Sequence, residues 1–245
     1  MDKYLKEYRK DGFTKVEGFY GPQELEEIKK EVAKFVEIKA KLLSGRDINF
    51  TQNDLNSIHR LWDEGEQNFF YKKAASERIL KFIKPFLDDE PEIRGSELFL
   101  KPAHEGLASP SHQDDFYWCI EDANALTCWT ALVDCDAGNG GIYYYTGSHK
   151  IGLLPHVDSF APGSSQKIED HFDFSKHEKV LPSLKAGDML IHHALTVHGS
   201  GANLSDRSRR GWTIQYKGKN SNYDLVRKHH YLDRLAAQIE SRKNK

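Results

Sequence analysis

The chain has 245 residues, a net charge of −2, and 29% charged against 38% hydrophobic residues. These values describe an ordinary globule of one domain, or at most two small ones, and exclude the basic footprint of a nucleic-acid binder. Cys119, Cys128 and Cys135 form no disulfide framework, the N-terminus has no signal-peptide core and no apolar run reaches membrane length, so a cytoplasmic protein is expected.

In chain order, the first 91 residues read as mainly helical. Pro22 followed by Glu24, Glu26 and Glu27 marks a helix start, with acids near the positive end of the dipole. Leu25, Ile28, Val32, Val36 and Leu43 recur at near-helical spacing, and Gly45 is the expected stop. Residues 45–66 read as an irregular polar loop, a candidate cover for a site. Ser76 is the expected cap of a second helix carrying Ile79, Leu80, Ile83 and Phe86.

Residues 92–218 change character to short strands separated by turn residues. Glu97–Lys101, Leu126–Val133, Ile142–Tyr145, Met189–His193 and Arg209–Tyr216 are the expected strands. Asn139-Gly140-Gly141 and Ala186-Gly187-Asp188 are turns. This pattern predicts a sandwich or barrel. The connection from Leu153 to Lys179 is long, with Pro155, Pro162 and Gly163. It is either a solvated excursion or a segment lining a pocket. A last amphipathic helix is expected within 219–245.

The chemistry concentrates in His112-Gln113-Asp114 and, far downstream, His198-Gly199-Ser200-Gly201. Two imidazoles and one carboxylate are the ligand set of a facial triad, which leaves one side of an iron(II) ion open. On a strand, His112 and Asp114 point to one side and Gln113 to the other. Asp115 would face away and is the weaker ligand. His192 and His193 compete with His198, but the Gly-Ser-Gly after His198 and the arginine eleven positions on favour His198. Arg209 and Arg210 open a strand beside this motif. Arginine grips carboxylates through paired hydrogen bonds, so a dicarboxylate held by iron at one end and arginine at the other points to 2-oxoglutarate. Alternation lets only one of the two arginines point inward.

The chain resembles the phytanoyl-CoA dioxygenase family of iron(II)/2-oxoglutarate-dependent oxygenases. The resemblance rests on Phe99-Leu100-Lys101-Pro102, Ser111-His112-Gln113-Asp114, Leu126 to Leu132, Asn139-Gly140-Gly141, Gly147-Ser148-His149-Lys150 and His198 to Asn203 with Ser205 and Arg209. It runs from about Gly12 to Tyr216. It implies a mainly β fold with flanking α-helices around a double-stranded β-helix, the cupin-like jelly-roll. It implies His112, Asp114 and His198 as iron ligands, Arg209 for the distal carboxylate of 2-oxoglutarate, and Ser200 and Trp129 as further co-substrate contacts. The activity implied is hydroxylation of a small-molecule metabolite using dioxygen. Alternatives are desaturation or cyclisation by the same cofactor chemistry, or a non-enzymatic metal-binding jelly-roll. Tyr143 and Tyr145 are larger than the family's usual residues there and, with Trp118, are candidate substrate contacts. A basic site for a CoA phosphate tail is not evident.

Overall fold

The computed structural model describes residues 1–43, 47–61, 68–161 and 163–243. The chain opens with helix α1 (Asp2–Asp11) and strand β1 (Phe13–Val16), followed by helix α2 (Pro22–Ile38). Pro22 sits in the first turn of α2, and Leu25, Ile28 and Val32 are its buried positions. The helix stops earlier than Leu43. It tightens into a 3₁₀ turn in which Leu42 N–H donates to Lys39 O and Leu43 N–H to Ala40 O. Gly45, the expected stop, lies outside the described residues. So do parts of the 45–66 segment; of the rest, Ile48–Phe50 and Leu55–Ile58 are not irregular but form strands β2 and β3, with bends between and after them.

Helices α3 (Phe69–Ala74) and α4 (Glu77–Leu87) follow. Ser76 occupies the N-cap position of α4, yet its hydroxyl donates backward to Lys73 O rather than capping the helix. Then come β4 (Pro91–Lys101), β5 (Ser109–His112), the short helix α5 (Asp114–Trp118), β6 (Ala125–Ala131) and β7 (Ile142–Tyr145). The long connection contains a hairpin of β8 (His156–Ala161) and β9 (Ser164–Ile168). The chain ends with β10 (Lys179–Val180), β11 (Met189–His193), β12 (His198–Ser200), β13 (Arg209–Gly218) and α6 (Leu225–Lys243). No described helix is long and apolar enough to cross a membrane.

The strands form two main antiparallel sheets, the jelly-roll arrangement. Seven strands run in the order β1-β11-β6-β13-β4-β3-β2, and four in the order β10-β7-β12-β5. Three strands of the larger sheet come from the first 91 residues, so that part is not merely a helical layer. Phe13–Val16 pairs with Met189–His192 and closes one edge.

Period-two alternation divides the large sheet into two faces. Leu98, Leu126, Cys128, Ile191, Trp212, Ile214 and Tyr216 turn to one side, where α1, α2 and α4 lay Tyr8, Leu25, Ile28, Ile79 and Ile83 against them. The opposite face carries Glu97, Phe99, Thr127, Trp129, His192, Arg209, Thr213 and Gln215, all lining one cavity. The helices therefore bury one face and leave the polar face to the smaller sheet.

Leu98 is fully buried at the centre of the helix-side layer. Leu98→Ala leaves a cavity between sheet and helices, and urea denaturation should show a loss of about 2–5 kcal/mol.

Candidate metal centre and cavity

His112 is the last residue of β5, and His198 the first of β12. The two are direct partners across the antiparallel pair. Cross-strand partners hold their Cβ atoms roughly 5 Å apart, and the two rings lie 4.3 Å apart centre to centre. Asp114 is not on a strand. Gln113 keeps extended geometry (φ −119°, ψ 133°), and Asp114 then opens α5. One extended residue suffices to bring His112 and Asp114 to the same side.

The Gln113 side chain faces away, as the spacing requires. Its amide donates to Gly152 O and Leu195 O, and its carbonyl accepts from Leu154 N–H. It thus ties the ligand loop to both neighbouring segments. Asp115 also faces away. It is buried, accepts from Ile120 N–H, and pairs with Arg227 Nη2 at 2.9 Å. That contact anchors α5 to α6.

Hydrogen bonds set the tautomers of both imidazoles. His112 Nδ1 lies 2.8 Å from Pro110 O and His198 Nδ1 lies 2.9 Å from Thr196 O. A carbonyl only accepts, so each Nδ1 carries the proton and each Nε2 presents a lone pair. Burial pushes both imidazoles down to about 4, with each also answering to the neighbouring ligands. They are therefore neutral, as metal ligands must be.

The carboxylate is oriented in the same way. Asp114 Oδ2 accepts from Thr127 Oγ1 at 2.7 Å and from His192 Nε2 at 3.1 Å. His192 Nδ1 consequently accepts from Tyr144 Oη, 2.9 Å away. Oδ1 is left turned toward His112 Nε2 at 3.8 Å and His198 Nε2 at 3.6 Å. Burial alone would raise the Asp114 carboxyl, but His198, His192 and His112 hold it well below the usual carboxylate range. His192 is thus a partner of the carboxylate rather than the second imidazole of the triad.

The donor atoms of His112, Asp114 and His198 all fall within 4.8 Å of one another. Ligands on one face of an ion with bonds near 2.1 Å stand about 3 Å apart, so a small inward movement completes the set. Two neutral imidazoles and one oriented carboxylate oxygen fit a divalent ion with an open face.

These residues open into a cavity of about 780 Å³ between the sheets. Arg209 lies in it, 2% exposed, donating from Nε to Gly140 O with its guanidinium over the Trp129 ring at 5.3 Å. Burial draws it down to about 10, so it remains charged at neutral pH. No carboxylate among the described residues pairs with it. Arg210 is exposed, so alternation selects Arg209. Gly211 makes room for this arrangement, since a Cβ there would meet Trp129 Cζ2 at 1.9 Å.

Ser200 also lines the cavity. Lys101, the cross-strand partner of Arg209, donates from Nζ to Ser200 Oγ at 2.7 Å and to Gly201 O. Burial first, and Arg209 second, push the Lys101 ammonium down to about 6. The role of Lys101 escaped the sequence reading, although Phe99-Leu100-Lys101-Pro102 stood out. Its alternation with Phe99 and Glu97 was the available signal.

Trp118 lines the cavity, but Tyr143 and Tyr145 do not. On β7 the inward residues are Ile142 and Tyr144. Tyr143 lies against Gly199 from outside, with its ring under Lys179 Nζ at 3.8 Å. Tyr145 stacks on Phe174 at 4.2 Å. Strand alternation sends both away from the metal centre. The 153–179 connection does reach the cavity, through Gly163, Ser164 and Ser165; Pro162 lies outside the described residues. From the 45–66 segment, Asp47, Asn49, His59 and Arg60 line the cavity.

Comparison with known proteins agrees with this geometry. The family model described as Phytanoyl-CoA dioxygenase (PhyH) matches residues 8–211. The peroxisomal phytanoyl-CoA dioxygenase of Bos taurus is 24% identical over 229 residues, covering 88% of this chain and 68% of that protein. Ectoine dioxygenase from Halomonas elongata is 26% identical, covering 89% and 70%. Among solved structures, the epimerase SnoN in complex with Fe3+, alpha ketoglutarate and nogalamycin RO superposes with a TM-score of 0.74 at 24% identity, covering 91% of this chain and 85% of that one.

His198→Ala should abolish stoichiometric iron(II) binding, read by metal analysis after gel filtration, while the circular dichroism stays native. His192→Phe keeps an aromatic ring but removes one of the two hydrogen bonds on Asp114 Oδ2, leaving that from Thr127. It should weaken iron about 10–100-fold, the usual effect of losing a partner that orients a ligand. Unchanged iron affinity in the His192 variant would remove its assigned part.

Proposed function

This chain belongs to the phytanoyl-CoA dioxygenase family of iron(II)- and 2-oxoglutarate-dependent oxygenases, and we propose that it hydroxylates a small organic molecule at an unactivated C–H bond. The observation that carries this reading is the pairing, in one cavity, of an oriented His112-Asp114-His198 donor set with a buried cation, Arg209, that lacks a counter-ion among the described residues. A buried, uncompensated guanidinium is costly unless a ligand brings its anion.

In this reading His112 Nε2, His198 Nε2 and Asp114 Oδ1 hold iron(II), and Arg209 receives the distal carboxylate of 2-oxoglutarate. The bound pair supplies dioxygen activation coupled to oxidative decarboxylation, with succinate and carbon dioxide as co-products. The chain's own work is positional. Lys101 donates to Ser200 Oγ, so the Ser200 proton is free to donate to the same carboxylate. Trp129 covers the guanidinium from one side. The Thr127 and His192 bonds keep one Asp114 oxygen away from the metal.

Arg209→Gln should raise the half-saturating concentration of 2-oxoglutarate by thirtyfold or more, following the roughly 2–5 kcal/mol cost of truncating a buried charge pair. Iron-dependent succinate release is the assay. Arg210→Gln, altering an exposed side chain, should leave that value within twofold. Mass spectrometry of the organic product should show one added oxygen atom; a product lighter by two hydrogens would reassign the outcome to desaturation or ring closure.

A further inference from the structure

The cavity holds a second guanidinium, Arg94, that makes no direct ion pair among the described residues; Glu97, Asp114 and Asp115 act on it only from beyond contact distance. The charged residues lining the cavity are Asp47, Arg60, Arg94, Glu97, Asp114 and Arg209. Arg60 lies 3.8 Å from Asp47, Glu97 is bonded by His59 Nδ1 at 3.2 Å, and Asp114 faces the metal centre. Arg94 touches no carboxylate among the described residues, since Glu97 is held by His59, Asp114 by the metal centre and Asp115 by Arg227. Its Nε is buried with no hydrogen-bond partner.

The backbone aims Arg94 into the cavity. Along most of β4, Glu97 and Phe99 face inward and Ser96 and Leu98 face the helices. Strict alternation would send Arg94 to the helix side. The pairing of β4 with β13 slips here: Gln215 pairs with Gly95 and Tyr216 with Ile93, which leaves Arg94 as the extra residue of a bulge. Bulges re-aim side chains in this way. Once turned, the guanidinium lies over the Trp118 ring at 4.6 Å, and Nη1 donates to Gln215 Oε1. Gly95 makes room for that carboxamide, because a Cβ there would meet Gln215 Oε1 at 2.8 Å. An acceptor, an aromatic platform and a glycine together hold Arg94 in place while Nε stays unsatisfied.

The position relative to the metal centre is also set. Gln215 is the cross-strand partner of Thr127, which bonds Asp114. Trp118 stands four residues after Asp114 on α5, on the same helix face at about 5–6 Å between Cβ atoms. Arg94 therefore sits beside the metal centre. Arg209 lies on the same strand as Gln215 but six residues away, on the order of 20 Å of strand. Two separated cations in one trough call for two anions.

We infer that Arg94 receives the oxyanion group of the substrate, so that the substrate is a small organic acid, a carboxylate or a phosphonate, with its reacting C–H bond a few bonds from the acid group. This rests on the oxygenase reading above and adds the substrate class to it. Arg94 is a specificity-determining contact; it holds no metal and takes no part in the redox step.

The test is a calorimetric titration under argon of protein loaded with iron(II) and saturating 2-oxoglutarate. The probes are hexanoate, pentylphosphonate and the neutral hexanamide, in wild type, R94Q and R94K. At least one acid should bind wild type tenfold or more tighter than the amide, because hydrogen bonds to a charged group are stronger than those to a neutral one. R94Q should remove that preference and R94K restore part of it. The stronger of the two acids identifies carboxylate or phosphonate. Equal binding of acid and amide, no binding of either acid, or a preference that survives in R94Q overturns the inference. Iron-dependent succinate formation, measured separately without probe, reads the oxygenase reading itself: its absence in wild type would overturn that reading while leaving the titration result standing.

Discussion

Strand β12 pairs with β5 so that His198 stands across from His112, and the rest of the site depends on that register. A slip of one residue would put Gly199 or Val197 opposite His112 and turn the imidazole away, because side chains alternate. The register is held from both sides, since β12 also pairs with β7, where His198 meets Tyr144. The ligand strand is thus central to its sheet rather than an edge. Asp114 joins the pair through a single extended residue before α5. The Gln113 side chain, bonded to three backbone groups, keeps that residue extended.

Around the three donors, hydrogen bonds decide which atoms remain available. Backbone carbonyls take both Nδ1 protons, and Thr127 and His192 take one carboxylate oxygen. What remains is two Nε2 lone pairs and one oxygen, directed toward each other. The Tyr144–His192–Asp114 chain reaches from the smaller sheet to the larger sheet and back to the ligand. Such a network is stable only when each member is satisfied, and here each of those atoms has a partner.

The cavity is polar on one sheet face because the helices cover the other. Trp212, Ile214 and Tyr216 face the helical layer, while Arg209, Thr213 and Gln215 of the same strand face the cavity. One strand thereby supplies both core and chemistry. The β4 bulge is the local exception, and it adds a cation that alternation alone would have sent to the opposite side.

From the sequence alone, the donor set, the arginine-bearing strand, a sandwich or barrel and most strands of the core were legible, because each is a local pattern: ligand spacing, alternation, turn residues; the jelly-roll followed from the family resemblance. The same locality explains what was not. The pairing of Phe13–Val16 with β11 is decided by contacts nearly 180 residues apart. Whether Arg209 or Arg210 points inward depended on the register against β4. Tyr143 and Tyr145 share one face, as the pattern requires, but which face meets the cavity was set by where β12 and β10 lie against β7. The parts of His192, Lys101 and Arg94 arise from cross-strand neighbours and a bulge, and no single stretch of sequence contains them. Sequence determined which chemistry-bearing groups are present; strand pairing, by choosing the side of the sheet each one occupies, decided which of them meet.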